Sequence, residues 1–101
     1  MTEVPAPKFH PDMLKALLDG MKFCTTRSRK LGEIGDTFTI EGQTFRYRRI
    51  QSLPFGEIAR VYYRCEGFGS EQDFKRFWIG LHRGHLPPDD SLRWLHVLEK
   101  V

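Results

Sequence analysis

Apolar residues recur at helical spacing at Met13, Leu14, Leu17, Leu18 and Met21, with Lys15 and Asp19 on the opposite side. Pro11 suits the first turn of this helix and Gly20 its stop, because glycine reaches the left-handed backbone that ends a helix. Residues 23–27 then read as a short β-prone stretch, followed by a charged, glycine-containing loop over 28–35. From Thr37 to Ile40 the pattern alternates, Glu41-Gly42-Gln43 reads as a turn, and residues 44–50 return as the partner strand. In that return Phe45 and Tyr47 face one way and Arg46 and Arg48 the other, on the outer side.

A second helix is expected from about Pro54, its stripe formed by Phe55, Ile58, Val61, Tyr62 and Cys65, with Glu57, Arg60 and Arg64 facing water. Ser70 and Asp73 have capping-box spacing and open a third, with Phe74, Phe77, Trp78 and Leu81 as its apolar face. Gly84, Pro87 and Pro88 mark a loop, and residues 92–97 a closing strand. Before the first helix, residues 1–7 read as a loose segment leading to a short strand near Lys8 and Phe9. Strands outnumber helices, so the expected architecture is a closed or nearly closed β-barrel flanked by three helices, in the α+β class.

At 101 residues and 40% hydrophobic content, the chain has the length of one domain, 1–101. It holds no apolar run of membrane-spanning length and no charged-then-apolar leader pattern, so no membrane partner and a cytoplasmic location are expected. Two cysteines, Cys24 and Cys65, are too few for a disulfide framework and lack zinc-ligand spacing, so both are read as buried or semi-buried thiols. His82, His85 and His96 offer no third ligand at a convincing spacing, and His82 and His85 are expected in a solvated loop, with no metal and no cofactor. The net charge of +3 leans toward an anionic partner, and the basic residues gather as Arg27, Arg29 and Lys30, and as Arg46, Arg48 and Arg49. Both groups are candidate phosphate contacts.

The segment Gly20-Met-Lys-Phe-Cys-Thr-Thr-Arg27 places a lysine, two hydroxyls and an arginine at a helix-to-strand junction. Glu66 falls near the end of the second helix, where a carboxylate faces the negative pole of the dipole and invites a cation. Lys22 or Arg27 is the nearest in chemistry. A lysine–carboxylate pair inside a concave site is a common arrangement for acid/base work.

The spacing G-x-K-x-x-T-x-R at Gly20, Lys22, Thr25 and Arg27, followed by Gly35-Asp36 and later by Glu66-Gly67-Phe68, Ser70 and residues 73–78, resembles the ASCH family of the PUA-like superfamily. The resemblance runs from about Phe9 to Glu99 and implies a small barrel associated with RNA or with modified nucleosides. Some bacterial members of that family are amidohydrolases of acetylcytidine, and their lysine, threonine and glutamate fall here on Lys22, Thr25 and Glu66. Thr25 would attack, Lys22 would act as base or, kept as the ammonium by Glu66, as oxyanion stabiliser, and Glu66 would orient or shuttle the proton. Glu66-Gly67-Phe68-Gly69 departs from the pattern by an apparent one-residue insertion before the third helix. The alternative implied by the family is a non-catalytic RNA-binding module or a ribonuclease, in which the two basic groups neutralise phosphates.

Overall fold

A computed structural model describes residues 2–101. Its elements run α1 (Pro11–Leu18), β1 (Cys24–Arg27), β2 (Thr37–Ile40), β3 (Gln43–Pro54), α2 (Phe55–Tyr62), α3 (Glu71–Leu81) and β4 (Leu92–Lys100). The strands form one antiparallel sheet in the order β1-β4-β3-β2. Three helices and this curled sheet give the α+β architecture that the periodicity predicts, but the barrel is a half-barrel. Among the described residues β1 and β2 are the outer strands and do not pair with each other, because four strands are too few to close.

Local chemistry accounts for most boundaries. Pro11 opens α1, and Gly20, at φ +82°, turns the chain out of it. The β2–β3 hairpin turns on Glu41 and Gly42, both at positive φ, the conformation that a two-residue hairpin loop needs. The Ser70 side chain accepts from the Asp73 N–H at 3.1 Å and caps α3.

Several expectations are corrected. No strand forms at Lys8 and Phe9; the N-terminal segment instead makes an isolated bridge between Glu3 and Thr37. Pro54 is the last residue of β3 and the N-cap of α2, and the helix ends at Tyr62, before Cys65. Its buried face is Phe55, Ile58 and Ala59 with Tyr62, the i, i+3, i+4, i+7 set, which leaves Val61 62% exposed on the far side. The closing strand runs on to Lys100. A register shift between Tyr47 and Arg49 makes Arg48 an inserted residue, so Arg48 and Arg49 are both exposed while Arg46 lies half-buried beside Glu99 at 3.2 Å.

The sheet carries a core on each side. On one face Phe55, Ile58, Ala59 and Phe74 of α2 and α3 pack with Leu95, Cys24 and Cys65. On the other, Leu17 of α1 packs with Phe38, Phe45, Tyr47 and Leu98. Strand alternation decides which face each β1 side chain meets: Thr26 pairs in register with Leu95, and Thr25 with His96.

His96 is fully buried beside Tyr47 and ties the 28–36 loop to β4. Its Nε2 accepts from the Leu31 N–H at 3.0 Å, so its proton sits on Nδ1, 3.2 Å from the Thr25 carbonyl. Burial holds this imidazole below its ordinary pKa.

Burial also pushes the Tyr47 phenol up to about 12 from its ordinary 10.0, with Arg27 opposing the shift. The protonated form is favoured in the folded chain, so this contribution is complete below the unfolded value and is lost as pH rises toward the folded one. Comparing denaturant unfolding of the wild type with Tyr47→Phe should therefore reveal on the order of 2 kcal/mol of extra alkaline loss in the wild type between about pH 10 and 12. Identical alkaline profiles would contradict it.

Candidate functional site

The chain after Gly20 and the turn after α2 are sewn together at one point. Phe23 and Cys24 both donate their N–H groups to the Cys65 carbonyl, at 2.8 and 2.9 Å. Cys24 and Cys65 are disulfide-bonded, with Cα atoms 5.2 Å apart. The free-thiol reading of these residues is thus corrected: both are buried, as expected of cysteine, but fold topology brings two strand-distant positions into bonding range, which spacing along a chain does not reveal.

The residues flanking the cross-link carry the charge. Lys22 and Glu66 are 4% and 3% exposed. Lys22 Nζ donates to Glu66 Oε1 at 3.0 Å and to the Glu66 carbonyl at 3.1 Å, while Thr26 Oγ1 donates to Glu66 Oε2 at 2.6 Å. Both carboxylate oxygens are therefore occupied. Gly67 makes room: it has φ +101°, and a Cβ there would stand 3.3 Å from Lys22 Cβ. Any larger residue would strain the backbone and press on the lysine stem.

Thr25 points to the other side of β1. Its hydroxyl accepts from Arg27 Nε at 3.1 Å, and Arg27 also donates to the Lys8 carbonyl at 2.8 Å and lies 5.1 Å from the Phe9 ring centroid. Burial lowers the pKa of Arg27, with the Glu66 charge acting the opposite way.

A cleft of about 650 Å³ crosses this edge of the sheet and is lined by Lys22, Thr25, Thr26, Arg27 and Glu66. Phe68, Phe74, Phe77 and Trp78 supply an aromatic wall. At the rim, His10 meets Phe77 edge-on at 5.2 Å and His82 stacks on Trp78 at 4.6 Å. The α3 aromatics thus serve two purposes, Phe74 in the core and Phe77 and Trp78 along the wall.

Of the basic residues singled out in the sequence, Arg27 and Arg29 line the cleft, joined by Arg93. Lys30 instead pairs with Glu33 at 2.8 Å, Arg46 pairs with Glu99, and Arg48 and Arg49 lie exposed at the β3 bulge, outside the cleft lining. His82 and His85 are exposed at the rim, whereas His96 is buried in the sheet. Among the described residues no three His, Cys, Asp or Glu side chains gather as a metal set. Thr26 had only one signal in the sequence, its shared strand parity with Lys22.

No family model matches the sequence, and no curated relative does. Solved structures do match in shape. An ASCH domain from Lactobacillus crispatus JV V101 superposes with a TM-score of 0.68 at 12% identity, covering 97% of this chain and 79% of that one. A DUF984 protein from Enterococcus faecalis V583 superposes with a TM-score of 0.58 at 18% identity, covering 87% of this chain and 66% of that one. No helix of the described residues is long and apolar enough to cross a membrane.

The buried pair yields a stability test. Lys22→Met leaves Glu66 buried without its cation and should cost about 3–5 kcal/mol in urea unfolding, whereas Lys22→Met combined with Glu66→Leu should recover most of that loss. Additive losses in the double variant would show that the two charges do not compensate each other. The cross-link yields a second test: the chain-entropy picture gives about 2–4 kcal/mol for a bond closing a loop of this size. Cys24→Ala combined with Cys65→Ala should lower stability by that amount, and dithiothreitol should shift only the wild type. Across nearly its whole length, then, the chain has the fold of an ASCH domain.

Proposed function

We propose that this chain is a small nucleoside-handling protein that hydrolyses an amide on the exocyclic nitrogen of an acylated base. The observation that carries this reading is the Lys22–Glu66 pair, almost wholly buried yet opening onto a cleft walled by aromatic rings. Burying two charges costs several kcal/mol per ion before their attraction is counted, on the order of what an apolar pair would avoid. Its place against a concave site supports a chemical role over a purely structural one.

The aromatic wall suits a base, which stacks by its π-face. Thr25, in the motif position, attacks the acyl carbon; its oxygen forms an ester as the carbon–nitrogen bond breaks. Arg27, donating to the Thr25 oxygen, favours loss of the hydroxyl proton. Glu66 takes up the proton that the hydroxyl loses, Lys22 stabilises the oxyanion and gives a proton to the departing nitrogen, and Glu66 then returns its proton to Lys22. Water then cleaves the ester and releases the acid.

Acetate release from acetylated cytidine tests this. Lys22→Ala should abolish turnover, and Glu66→Gln should reduce it about a hundredfold or more. Thr25→Ser should retain part of the activity and Thr25→Val none; if Thr26→Val is silent the motif hydroxyl is the attacking one, and if the two valine variants exchange effects it is Thr26. Full turnover in Lys22→Ala would overturn the mechanism.

A second reading, an RNA-binding module without catalysis, is favoured by Arg29 and Arg93 at the cleft. It is separated by the outer arginines. Arg46→Ala with Arg48→Ala should leave turnover of a free nucleoside unchanged, but should weaken an RNA complex for all sequences and lower its salt slope by about one unit per lost contact.

A further inference from the structure

β1 is an outer strand, hydrogen-bonded to β4 on one side only. In an antiparallel ladder the N–H and C=O of one residue point the same way, and successive residues alternate. The Phe23 carbonyl accepts from the Leu98 N–H at 2.7 Å, and the Thr25 carbonyl faces His96. Cys24 turns the other way, its N–H reaching the Cys65 carbonyl.

Thr26 has the parity of Cys24, so its main-chain N–H and C=O also point away from β4. Neither group takes a hydrogen-bond partner on that side among the described residues. Yet Thr26 is buried and lines the cleft. Buried main-chain donors and acceptors are nearly always paired, since each unpaired one forfeits its hydration. An occupant that supplies an acceptor and a donor side by side completes the edge as a neighbouring strand would.

We infer that the Thr26 main chain selects the ligand by its pairing edge, an assignment that rests on the nucleoside reading above. The Thr26 N–H donates to the ring nitrogen of a cytosine-type base, and the Thr26 carbonyl accepts from the exocyclic N–H. The specificity determinant is thus backbone, and it admits planar heterocycles with adjacent acceptor and donor. It also sets the exocyclic nitrogen beside the residue whose hydroxyl contacts Glu66.

Calorimetric titration of the purified protein with cytidine, 3-deazacytidine and pyrimidin-2-one riboside tests the edge, because the two analogues delete the acceptor and the donor without adding bulk. Each deletion should weaken binding roughly tenfold to a hundredfold, the range for leaving one buried polar group unpaired. Thr26→Pro removes the N–H and Thr26→Val keeps it, and both lack the hydroxyl. Proline is tolerated on an outer strand where the N–H faces away from the sheet. Relative to Thr26→Val, Thr26→Pro should weaken cytidine by about the factor seen for 3-deazacytidine and should leave 3-deazacytidine itself unaffected. Equal affinities for the three nucleosides would overturn the edge assignment while leaving a nucleoside cleft; discrimination against 3-deazacytidine that persists in Thr26→Pro would overturn it by assigning the ring-nitrogen contact to side chains, whereas discrimination against pyrimidin-2-one riboside should persist, because proline keeps the carbonyl. Absence of cytidine binding at millimolar concentration would overturn both readings. Should Thr26→Pro fail to fold by circular dichroism, the analogue series decides alone.

Discussion

Lys22 and Glu66 stand 44 residues apart in sequence and 3.0 Å apart in space, where water scarcely reaches. A charge pair of this kind is tolerable only when every remaining donor and acceptor around it is met. The surrounding structure meets the carboxylate and two of the three ammonium hydrogens: the second carboxylate oxygen takes Thr26, the Glu66 carbonyl takes a second contact from Lys22, and Gly67 lets the turn approach the lysine stem. Gly20 ends α1 just early enough for Lys22 to turn into the site.

Because β1 is only four residues long and lies at the sheet boundary, the cleft passes around it rather than lying on one face. Its two threonines therefore live in different surroundings. Thr26 belongs with the charge pair, and Thr25 with Arg27, Phe9 and the N-terminal segment. One strand thereby contributes both a fixed polar floor and a separately held hydroxyl.

Much of the framework was legible in the sequence because it is written in local signals. Pro11, Gly20, the Glu41-Gly42 turn and the Ser70 cap act within a few residues, and all sit where the pattern puts them. What escaped was non-local. The Cys24–Cys65 bond depends on where the turn after α2 brings the chain, and the Arg48 insertion depends on how β3 bends across β4. Val61 was misplaced on the inner face because an apolar residue at i+6 from Phe55 resembles a core position only if the helix is imagined longer than its eight residues. At the site, the residue types were readable and the partnerships were not: the sequence offered Lys22 or Arg27 for Glu66, and only strand parity separates Thr26 from Thr25.

The cross-link beneath the charge pair ties the fates of two codons. Losing one cysteine alone leaves an odd thiol packed under Glu66 and a slack turn, whereas exchanging both for small apolar residues keeps the packing against Phe55, Ile58 and Leu95. Disulfides persist in oxidising surroundings and are generally reduced elsewhere. In reducing surroundings the same two positions would hold a pair of buried thiols, which keep their packing in the core while the turn loses its covalent restraint.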